Sequence, residues 1–124
     1  MKKLLTFCLI SLSFFLFSFV SIDDVISAIK LGDASQLSKF FDNTIEITLP
    51  DKSNAYSKSQ GELVLKDFFS NNGVKGFEVV SKGENAGAKF VVGTLTTKNG
   101  DYRTTIYMKQ KGDKELLQEL RFEK

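Results

Sequence analysis

Few residues in this chain can carry acid–base or metal chemistry, because its 124 residues include no histidine. Any mechanism that requires an imidazole is therefore excluded. The single cysteine, Cys8, lies in an apolar N-terminal run, so a chain that has lost this run has no thiol either. Transition metals favour imidazole and thiolate ligands. We therefore expect neither a metal site nor a cofactor.

Three carboxylates are candidates for a general base, and each has a simpler structural role. Glu46 alternates with Ile45 and Ile47, which places it on the solvent side of a strand. Asp33 stands at the start of a short helix, where a carboxylate caps the backbone. Asp67 precedes two phenylalanines on a later helix and fits its polar side. We therefore assign no catalytic residue and predict that the protein is not an enzyme.

Polar side chains that could line a pocket form a second group. Gln118 is the most informative, because the strand pattern points its amide toward the core, where an amide needs a partner. The simpler alternatives are that Gln118 bonds a nearby backbone group or lies at an open mouth, and that the tyrosines only pack. The candidates for ligand binding are Tyr56, Tyr102, Thr104 and Gln118.

The first twenty residues form a separate segment. Lys2 and Lys3 precede an uncharged apolar run from Leu4 to Val20, an arrangement typical of a secretory signal peptide. The run is also just long enough to span a membrane, so an uncleaved anchor is the alternative. We predict a signal peptide at residues 1–21, one domain at residues 22–124, and a periplasmic or secreted location. Only an uncleaved segment would contact the membrane.

The charge of the domain argues against nucleic acid as a partner. The chain has 17 basic and 15 acidic residues, for a net charge of +2. Without Lys2 and Lys3, 15 basic residues remain against 15 acidic ones. Nucleic-acid-binding domains normally carry a basic stripe, which a neutral domain of mixed charge does not indicate.

Helices and one strand open the domain. Apolar residues recur at helical spacing over residues 22–29, and Gly32 can end this helix in the left-handed conformation. Asp33 then caps a second helix, which is expected to bury Leu37 and Phe41. An alternating strand follows and Pro50 closes it, with a short second strand near Tyr56. A third helix is predicted to be capped by Ser59 and to end at Gly73, with inward-facing Leu63, Val64, Phe68 and Phe69.

Four antiparallel strands complete the chain, and the turns between them predict which side chains face inward. Turns are expected at residues 83–87, at Asn99-Gly100 and near Gly112. The Asn99-Gly100 turn puts alternate residues of the two flanking strands on a shared face: Val91, Gly93, Leu95 and Thr97 with Tyr102, Thr104, Ile106 and Met108. We prefer a three-residue turn at 112–114, since it continues this face with Leu116, Gln118, Leu120 and Phe122. A two-residue turn would instead place Glu119 and Arg121 there, and a bulge would reverse the preference.

Two stretches, "ISAIKLGDASQLSKFFDNTIEITLPD" and "AYSKSQGELVLKDFF", followed by a four-strand meander, resemble the nuclear transport factor 2-like (SnoaL-like) superfamily. Within it the chain is most similar to small, uncharacterised exported proteins of the bacteroidetes. The resemblance covers nearly all of the domain. The matching positions are Ala28, Gly32, Asp33, Leu37, Phe41, Pro50 and Tyr56.

The resemblance implies an α+β fold, a cystatin-like cone in which three N-terminal helices pack on a curved antiparallel sheet. Such cones often enclose a pocket, and their outer sheet face often forms a homodimer. Catalytic members use an Asp base, which no acid here matches convincingly. We expect an exported, non-catalytic domain that binds a small molecule or a protein, with its cone filled by phenylalanine. The alternatives are a pocket enzyme of the isomerase or dehydratase type, and a dimerising module that uses Val80, Val92 and Tyr107.

Overall fold

The computed structural model describes residues 21–124, so the predicted signal peptide lies outside the described residues except for Ser21. None of the helices within this range is long and apolar enough to cross a membrane. The helices are α1 (Ser21–Leu31), α2 (Ala34–Ser38) and α3 (Lys58–Asn72). The strands are β1 (Phe41–Leu49), β2 (Lys52–Ser57), β3 (Val74–Asn85), β4 (Ala88–Thr97), β5 (Gly100–Lys111) and β6 (Lys114–Glu123).

The strands form one six-stranded sheet in the order β2-β1-β6-β5-β4-β3. Neighbouring strands are antiparallel except β1 and β6, which pair in parallel. This parallel pair follows from the path of the chain. After β2, α3 carries the chain to the far edge of the sheet, and the antiparallel strands β3 to β6 then lead back toward β1. The last of them, β6, lies beside β1 and runs in the same direction. The predicted α+β fold, with helices on a curved sheet, is confirmed. The parallel pair is a feature that the sequence pattern did not indicate.

The joint between α1 and α2 forms as predicted. Gly32 has φ +64° and ends α1, and its left-handed conformation is one that glycine adopts without strain. The Asp33 carboxylate accepts a hydrogen bond from the Gln36 backbone N–H at 3.1 Å. The chain therefore stops and restarts a helix within two residues, which lets α1 and α2 bury different faces against one core.

The third helix differs from the prediction at its start and on one face. Ser57, not Ser59, is the N-cap, and its hydroxyl accepts a hydrogen bond from the Gln60 backbone N–H at 3.4 Å. Leu63 was predicted to face inward, yet it is 66% exposed, whereas Leu65 is fully buried. The helical phase explains the difference, since the buried positions follow an i, i+4, i+7, i+8, i+11 pattern: Gly61, Leu65, Phe68, Phe69 and Asn72.

Two hairpin turns also differ in position from the prediction. The third strand continues to Asn85, and the turn consists of Ala86 and Gly87, both with positive φ. In the next hairpin Thr97 pairs with Gly100, which moves the register by two residues from the predicted pairing. Because side chains alternate with a period of two, a shift of two residues leaves the predicted faces unchanged.

The last hairpin corrects the predicted facing of Gln118. Its turn has two residues, since Lys111 pairs with Lys114, and the register then shifts between Tyr107 and Met108. The shift leaves Gln118 as the extra residue of a β-bulge, which resets the alternation of the strand. The inward residues are therefore Leu117, Leu120 and Phe122, whereas Leu116 and Gln118, which were also predicted to face inward, are only half-buried.

Phenylalanine rings fill the space between α3 and the sheet. Phe41 and Phe122 are fully buried. The ring centroid of Phe122 lies 4.8 Å from that of Phe68 and 6.0 Å from that of Phe69. Aromatic rings at these spacings pack in tilted and edge-on arrangements that are favourable beyond the area they bury. The helix layer and the sheet are thus joined through aromatic contacts, and the clefts described below open at the surface.

Candidate functional site

Two of the predicted pocket residues, Tyr102 and Thr104, lie side by side on the concave face of β5. Tyr102 is 5% exposed and Thr104 is fully buried. The Thr104 hydroxyl donates to the Tyr102 backbone carbonyl at 3.3 Å. Thr104 thereby satisfies its own hydroxyl inside the strand, and the phenol of Tyr102 is the group that reaches across the core.

The Tyr102 phenol meets the last residue of α3. Its Oη donates to Asn72 Oδ1 at 2.7 Å, and Asn72 Nδ2 donates to the Phe68 carbonyl at 2.8 Å. The Phe68 and Tyr102 rings pack in a T-shaped arrangement, with centroids 5.2 Å apart. A buried amide and a buried phenol therefore satisfy each other at the end of the helix.

Further donors surround this pair from the β4–β5 turn. Asn99 Nδ2 donates to Asn72 Oδ1 and to the Asn71 carbonyl, both at 3.1 Å. Lys124 Nζ donates to the Asn99 carbonyl at 2.6 Å and lies 4.7 Å from the centroid of the Tyr102 ring. Hydrogen bonds and a cation–π contact thus tie the turn to the end of α3 and fix the position of Asn72.

A surface cleft of about 380 Å³ opens beside Asn72, between α3 and the β1–β2 turn. We call it the α3 cleft. Its wall combines apolar side chains with two carboxylates, a lysine and two amides, so a ligand there would meet both apolar and polar groups. The residues that line it are Leu49, Asp51, Lys52, Leu63, Val64, Asp67, Phe68, Asn71 and Asn72.

Gln118, the third predicted pocket residue, belongs to a separate cluster at the β6 bulge. Its Nε2 donates to Asp42 Oδ2 at 3.0 Å. The same oxygen lies 2.6 Å from Lys111 Nζ, and the Asn43 backbone N–H donates to Asp42 Oδ1 at 2.7 Å. The hydrogen bond from Lys111 holds the pKa of Asp42 below its usual value, and those from Asn43 and Gln118 act in the same direction against the effect of burial. Asp42 is therefore a carboxylate at neutral pH and a weak base.

Tyr56, the fourth predicted residue, lies apart from the other three. It is half-buried on the edge strand β2, where it pairs with Ile45 and accepts a hydrogen bond from Asn54 Nδ2 at 3.4 Å. In the sheet, β1 and β6 separate β2 from β5. The structure thus brings Tyr102 and Thr104 together, and it places Gln118 and Tyr56 elsewhere.

The outer face of the sheet carries an acidic pair and an aromatic pair in one row. Glu46, exposed as predicted, pairs with Glu119 across β1 and β6. Burial raises the pKa of Glu119, and the nearby Glu46 carboxylate adds to the rise. On the neighbouring strands, Phe90 packs on Tyr107 with ring centroids 4.9 Å apart. This row lies on the face opposite the helices.

Two residues of these clusters, Asn72 and Asp42, were not among the sequence candidates. Asn72 belongs to the Asn71-Asn72-Gly73 stretch, which marks the end of a helix and gives no sign that one amide turns inward. Asp42 is buried because the β6 bulge brings Gln118 beside it. Neither position has a local pattern that distinguishes it, since both depend on contacts between distant segments.

A family model described as a domain of unknown function, DUF4783, matches residues 22–123 of the chain. The chain is 31% identical to a DUF4783 family protein from Bacteroides ovatus, at a TM-score of 0.79 over 82% of this chain and 92% of that one. It is 30% identical to a DUF4783 family protein from Bacteroides fragilis, at a TM-score of 0.77 over 82% of this chain and 95% of that one. No curated protein matches the chain.

Similarity of fold extends to designed proteins. A designed protein of the NTF2-like type is 14% identical, with a TM-score of 0.63 over 82% of this chain and 91% of that one. At this identity the match shows a shared fold alone. The predicted resemblance to the nuclear transport factor 2-like fold, and to small bacteroidetes proteins within it, is thereby confirmed.

Proposed function

The chain belongs to the DUF4783 family of domains of unknown function, and from this premise we propose that it is an exported, non-catalytic domain that binds a small molecule in the α3 cleft. The observation that carries the proposal is Asn72, which lines this cleft and accepts a hydrogen bond from the buried Tyr102 phenol. Asn72 is held rigidly by Tyr102, Asn99 and the Phe68 carbonyl. Asn72 Nδ2 uses one of its two hydrogens for the Phe68 carbonyl, so the second can be offered to a ligand. A donor that is already fixed in position binds a ligand at a low entropic cost.

The position of the shifted acids supports a non-catalytic role. A general base that works near neutral pH needs a raised pKa and access to its substrate. The pKa of Asp42 is lowered, whereas Glu119, whose pKa is raised, faces away from the helices. An isomerase or dehydratase would instead require an acid with a raised pKa inside the α3 cleft.

Native mass spectrometry of the protein purified from its own envelope tests the proposal. We expect the wild-type protein to carry a small-molecule adduct. Leu63→Trp should remove the adduct, because Leu63 is 66% exposed and lines the α3 cleft, so that the larger ring fills the cleft without entering the core. Leu31→Trp, at a residue that is 77% exposed outside this cleft, is the matched control. An adduct that survives in Leu63→Trp, or a wild-type protein without one, would refute the proposal.

A protein partner is the second candidate, and the occupant we propose is a second copy of the chain on the outer sheet face. Phe90 is 40% exposed and Val80 is 69% exposed on this side of the molecule. Partly exposed aromatic rings are typical of interface centres. Sedimentation equilibrium tests this candidate: Phe90→Glu should shift a dimer to monomer, and Leu31→Glu should not. A wild-type protein that sediments as a monomer at all concentrations would rule it out.

Export rests on residues 1–20 and is tested in cells. We expect the protein in the periplasmic or secreted fraction of its host, because a charged start followed by an apolar run directs secretion. Leu9→Arg should retain the protein inside the cell, since a charge interrupts the apolar run. N-terminal sequencing of the wild-type protein separates a cleaved signal from an uncleaved anchor. An unaffected location in Leu9→Arg would contradict the prediction.

A further inference from the structure

We propose that the ligand of the α3 cleft is a small cation that carries an ammonium group, a carbonyl beside it and an apolar side chain, as an apolar amino-acid amide does. This ligand class rests on the proposed function, since both concern the same cleft. The order of side chains along α3, the charge of the cleft and an unshared hydrogen of Asn72 together favour it.

The α3 side of the cleft consists of two rows of side chains, each with a spacing of four residues. Residues at this spacing lie one above the other, about 6 Å apart along the helix axis. Both rows begin with an apolar residue and end with an amide at the C-terminal end of the helix. One row is Leu63, Asp67 and Asn71, and the other is Val64, Phe68 and Asn72. The cleft is therefore apolar at one end, acidic halfway along and polar at the other end.

The charge of the cleft favours a cation. Asp51 and Asp67 are both exposed, and Lys52 is the only basic residue that lines the cleft in the described part of the chain. Within residues 21–124 neither carboxylate takes part in an ion pair. The last turn of α3 contains no basic residue, so the negative end of the helix dipole adds to the negative charge. An ammonium group is attracted to this cleft, and an anionic ligand is repelled.

Asn72 provides a donor at the polar end of the cleft. It is 9% exposed, and its Oδ1 accepts hydrogen bonds from Tyr102 and Asn99. One Nδ2 hydrogen is donated to the Phe68 carbonyl, and the other is shared with no residue of the range 21–124. Buried donors are normally satisfied. A carbonyl oxygen, which can only accept, suits this position in a ligand.

The spacing of these groups fits one compact ligand. Asp67 and Asn72 are five residues apart, which is about 7–8 Å along the helix axis. An ammonium group and the carbonyl beside it, each with a hydrogen bond of about 2.9 Å, span a similar distance. The apolar side chain of the ligand then points toward Leu63, about 6 Å from Asp67 in the opposite direction. An amino-acid amide thus meets all three parts of the cleft at once.

Three probes with one apolar body test the head group: leucinamide, 4-methylpentanamide, which lacks the amine, and 3-methylbutylamine, which lacks the carbonyl. Methyl NMR of the purified protein at about pH 6.5, where an α-amino group is charged, reports binding through Leu63 and Val64. We expect leucinamide to bind at least about tenfold tighter than 4-methylpentanamide, because its ammonium group is attracted to two carboxylates. It should bind about threefold tighter than 3-methylbutylamine, since it adds one hydrogen bond.

One variant separates the charge of the cleft from its shape. Asp67→Asn should weaken leucinamide binding about threefold to tenfold and leave 4-methylpentanamide binding unchanged, because only the ammonium group needs the carboxylate. Asp113→Asn, in the turn between β5 and β6, is the matched control and should change neither. A rise in salt from about 0.05 to 0.5 M should weaken the binding of leucinamide alone, since screening acts on its charge.

Four results would overturn the inference. They are the absence of leucinamide binding, equal affinity for leucinamide and 4-methylpentanamide, unchanged leucinamide binding in Asp67→Asn, and shifts that concentrate at Val74. Val74 lines a different cleft, of about 410 Å³, at the joint between α1 and α2.

The native adduct distinguishes failure of this inference from failure of the proposed function. We expect the compound released from the wild-type protein to contain a basic nitrogen. An adduct that is lost in Leu63→Trp but contains no basic nitrogen would leave the proposed function standing and refute the ligand class. An adduct that survives in Leu63→Trp would refute the proposed function itself.

Discussion

At the residue scale, two separate clusters of buried polar side chains satisfy their own hydrogen bonds. Asn72 and Tyr102 share a hydrogen bond at the end of α3, and Asp42 is held by Lys111 and Gln118 at the β6 bulge. Buried polar groups that are all hydrogen-bonded favour a single arrangement of the core, whereas an unpaired one would destabilise it. The side chains that looked free in the sequence are thus largely committed to internal contacts.

Tyr102→Phe tests the first cluster. Removal of the phenol oxygen should lower the free energy of unfolding by about 1 kcal/mol, the typical net value of one hydrogen bond. Asn72 Oδ1 keeps its bond from Asn99, which limits the loss. Urea denaturation measures the change, with Tyr107→Phe on the outer face as the control. Equal losses in the two variants would show that the Asn72 contact contributes nothing specific.

The pH dependence of stability tests the second cluster. The pKa of Asp42 is lower in the folded protein than in the unfolded chain, so its contribution is fully present above the unfolded value of about 4. The contribution is lost as the pH falls from there through the folded value. The melting temperature of the wild type should therefore exceed that of Asp42→Asn at pH 7, and the difference should shrink in acid.

Lys111→Met provides the control for this measurement. Lys111 is the first cause of the lowered pKa of Asp42. In a Lys111→Met background, Asp42→Asn should therefore change the pH dependence much less. A wild-type advantage that persists unchanged in acid would contradict the assigned role of the carboxylate.

At the element scale, the bulge in β6 decides which of its side chains enter the core. A two-residue turn alone would have placed Glu119 and Arg121 inside, as the sequence alternative stated. The extra residue, Gln118, restores Leu120 and Phe122 to the inward face. The predicted inward positions of Leu120 and Phe122 are confirmed, but the bulge produces them and not the predicted three-residue turn.

Deletion of Gln118 tests this account of β6. Without it, Leu117, Leu120 and Phe122 alternate regularly with outward residues, so we expect the fold to survive. The free energy of unfolding should fall by about 1–3 kcal/mol, because Asp42 loses a partner. An alanine inserted between Leu120 and Arg121 is the control and should unfold the protein, since it turns Phe122 outward. Dispersion of the amide NMR spectrum distinguishes these outcomes, and an unfolded deletion variant would refute the account.

Gly61→Ala tests how closely α3 approaches β1. Alanine is the better helix former, yet a Cβ at this position would lie 2.6 Å from Ile45 Cγ2 and 3.1 Å from Phe41 Cε2. We therefore expect a loss of about 1–3 kcal/mol from overpacking. Gln60→Ala, at the exposed neighbouring position, should cause no loss. Chemical denaturation compares the two, and a stabilised Gly61→Ala would contradict the tight contact.

At the scale of the whole molecule, one aromatic cluster holds the helix layer on the sheet. Phe122, near the end of the last strand, contacts the α3 rings Phe68 and Phe69. These contacts join segments that are more than 50 residues apart in the chain. The stability of the fold therefore depends on the C-terminal strand as much as on the helices.

Phe122→Ala should consequently lower the free energy of unfolding by about 3–5 kcal/mol, the range for truncation of a buried phenylalanine. Phe90→Ala should cost less than about 1 kcal/mol, because Phe90 is partly exposed on the outer face. Guanidinium denaturation followed by far-ultraviolet circular dichroism measures both losses, since the chain has no tryptophan for fluorescence detection. Similar losses would show that the core does not depend on the Phe122 contacts.

The sequence by itself determined the fold class, the Gly32–Asp33 joint and the alternation of β1. These features depend on local rules: glycine adopts positive φ, aspartate caps a helix, and apolar residues alternate in a half-buried strand. It also identified Tyr102 and Thr104 as neighbours on one face. That prediction holds because a register shift of two residues leaves each side chain on the same face of the strand.

Only the tertiary structure decided the facing of Gln118, the burial of Asp42 and the partner of Tyr102. Each depends on a register shift or on a contact between distant segments, and neither can be predicted from the pattern of neighbouring residues. The same holds for the ion pair of Lys89 and Glu115, which joins β4 to β6 across β5. A bulge of one residue is energetically small, but it changes which side chains face the core, and so it decides which polar groups remain available to a ligand.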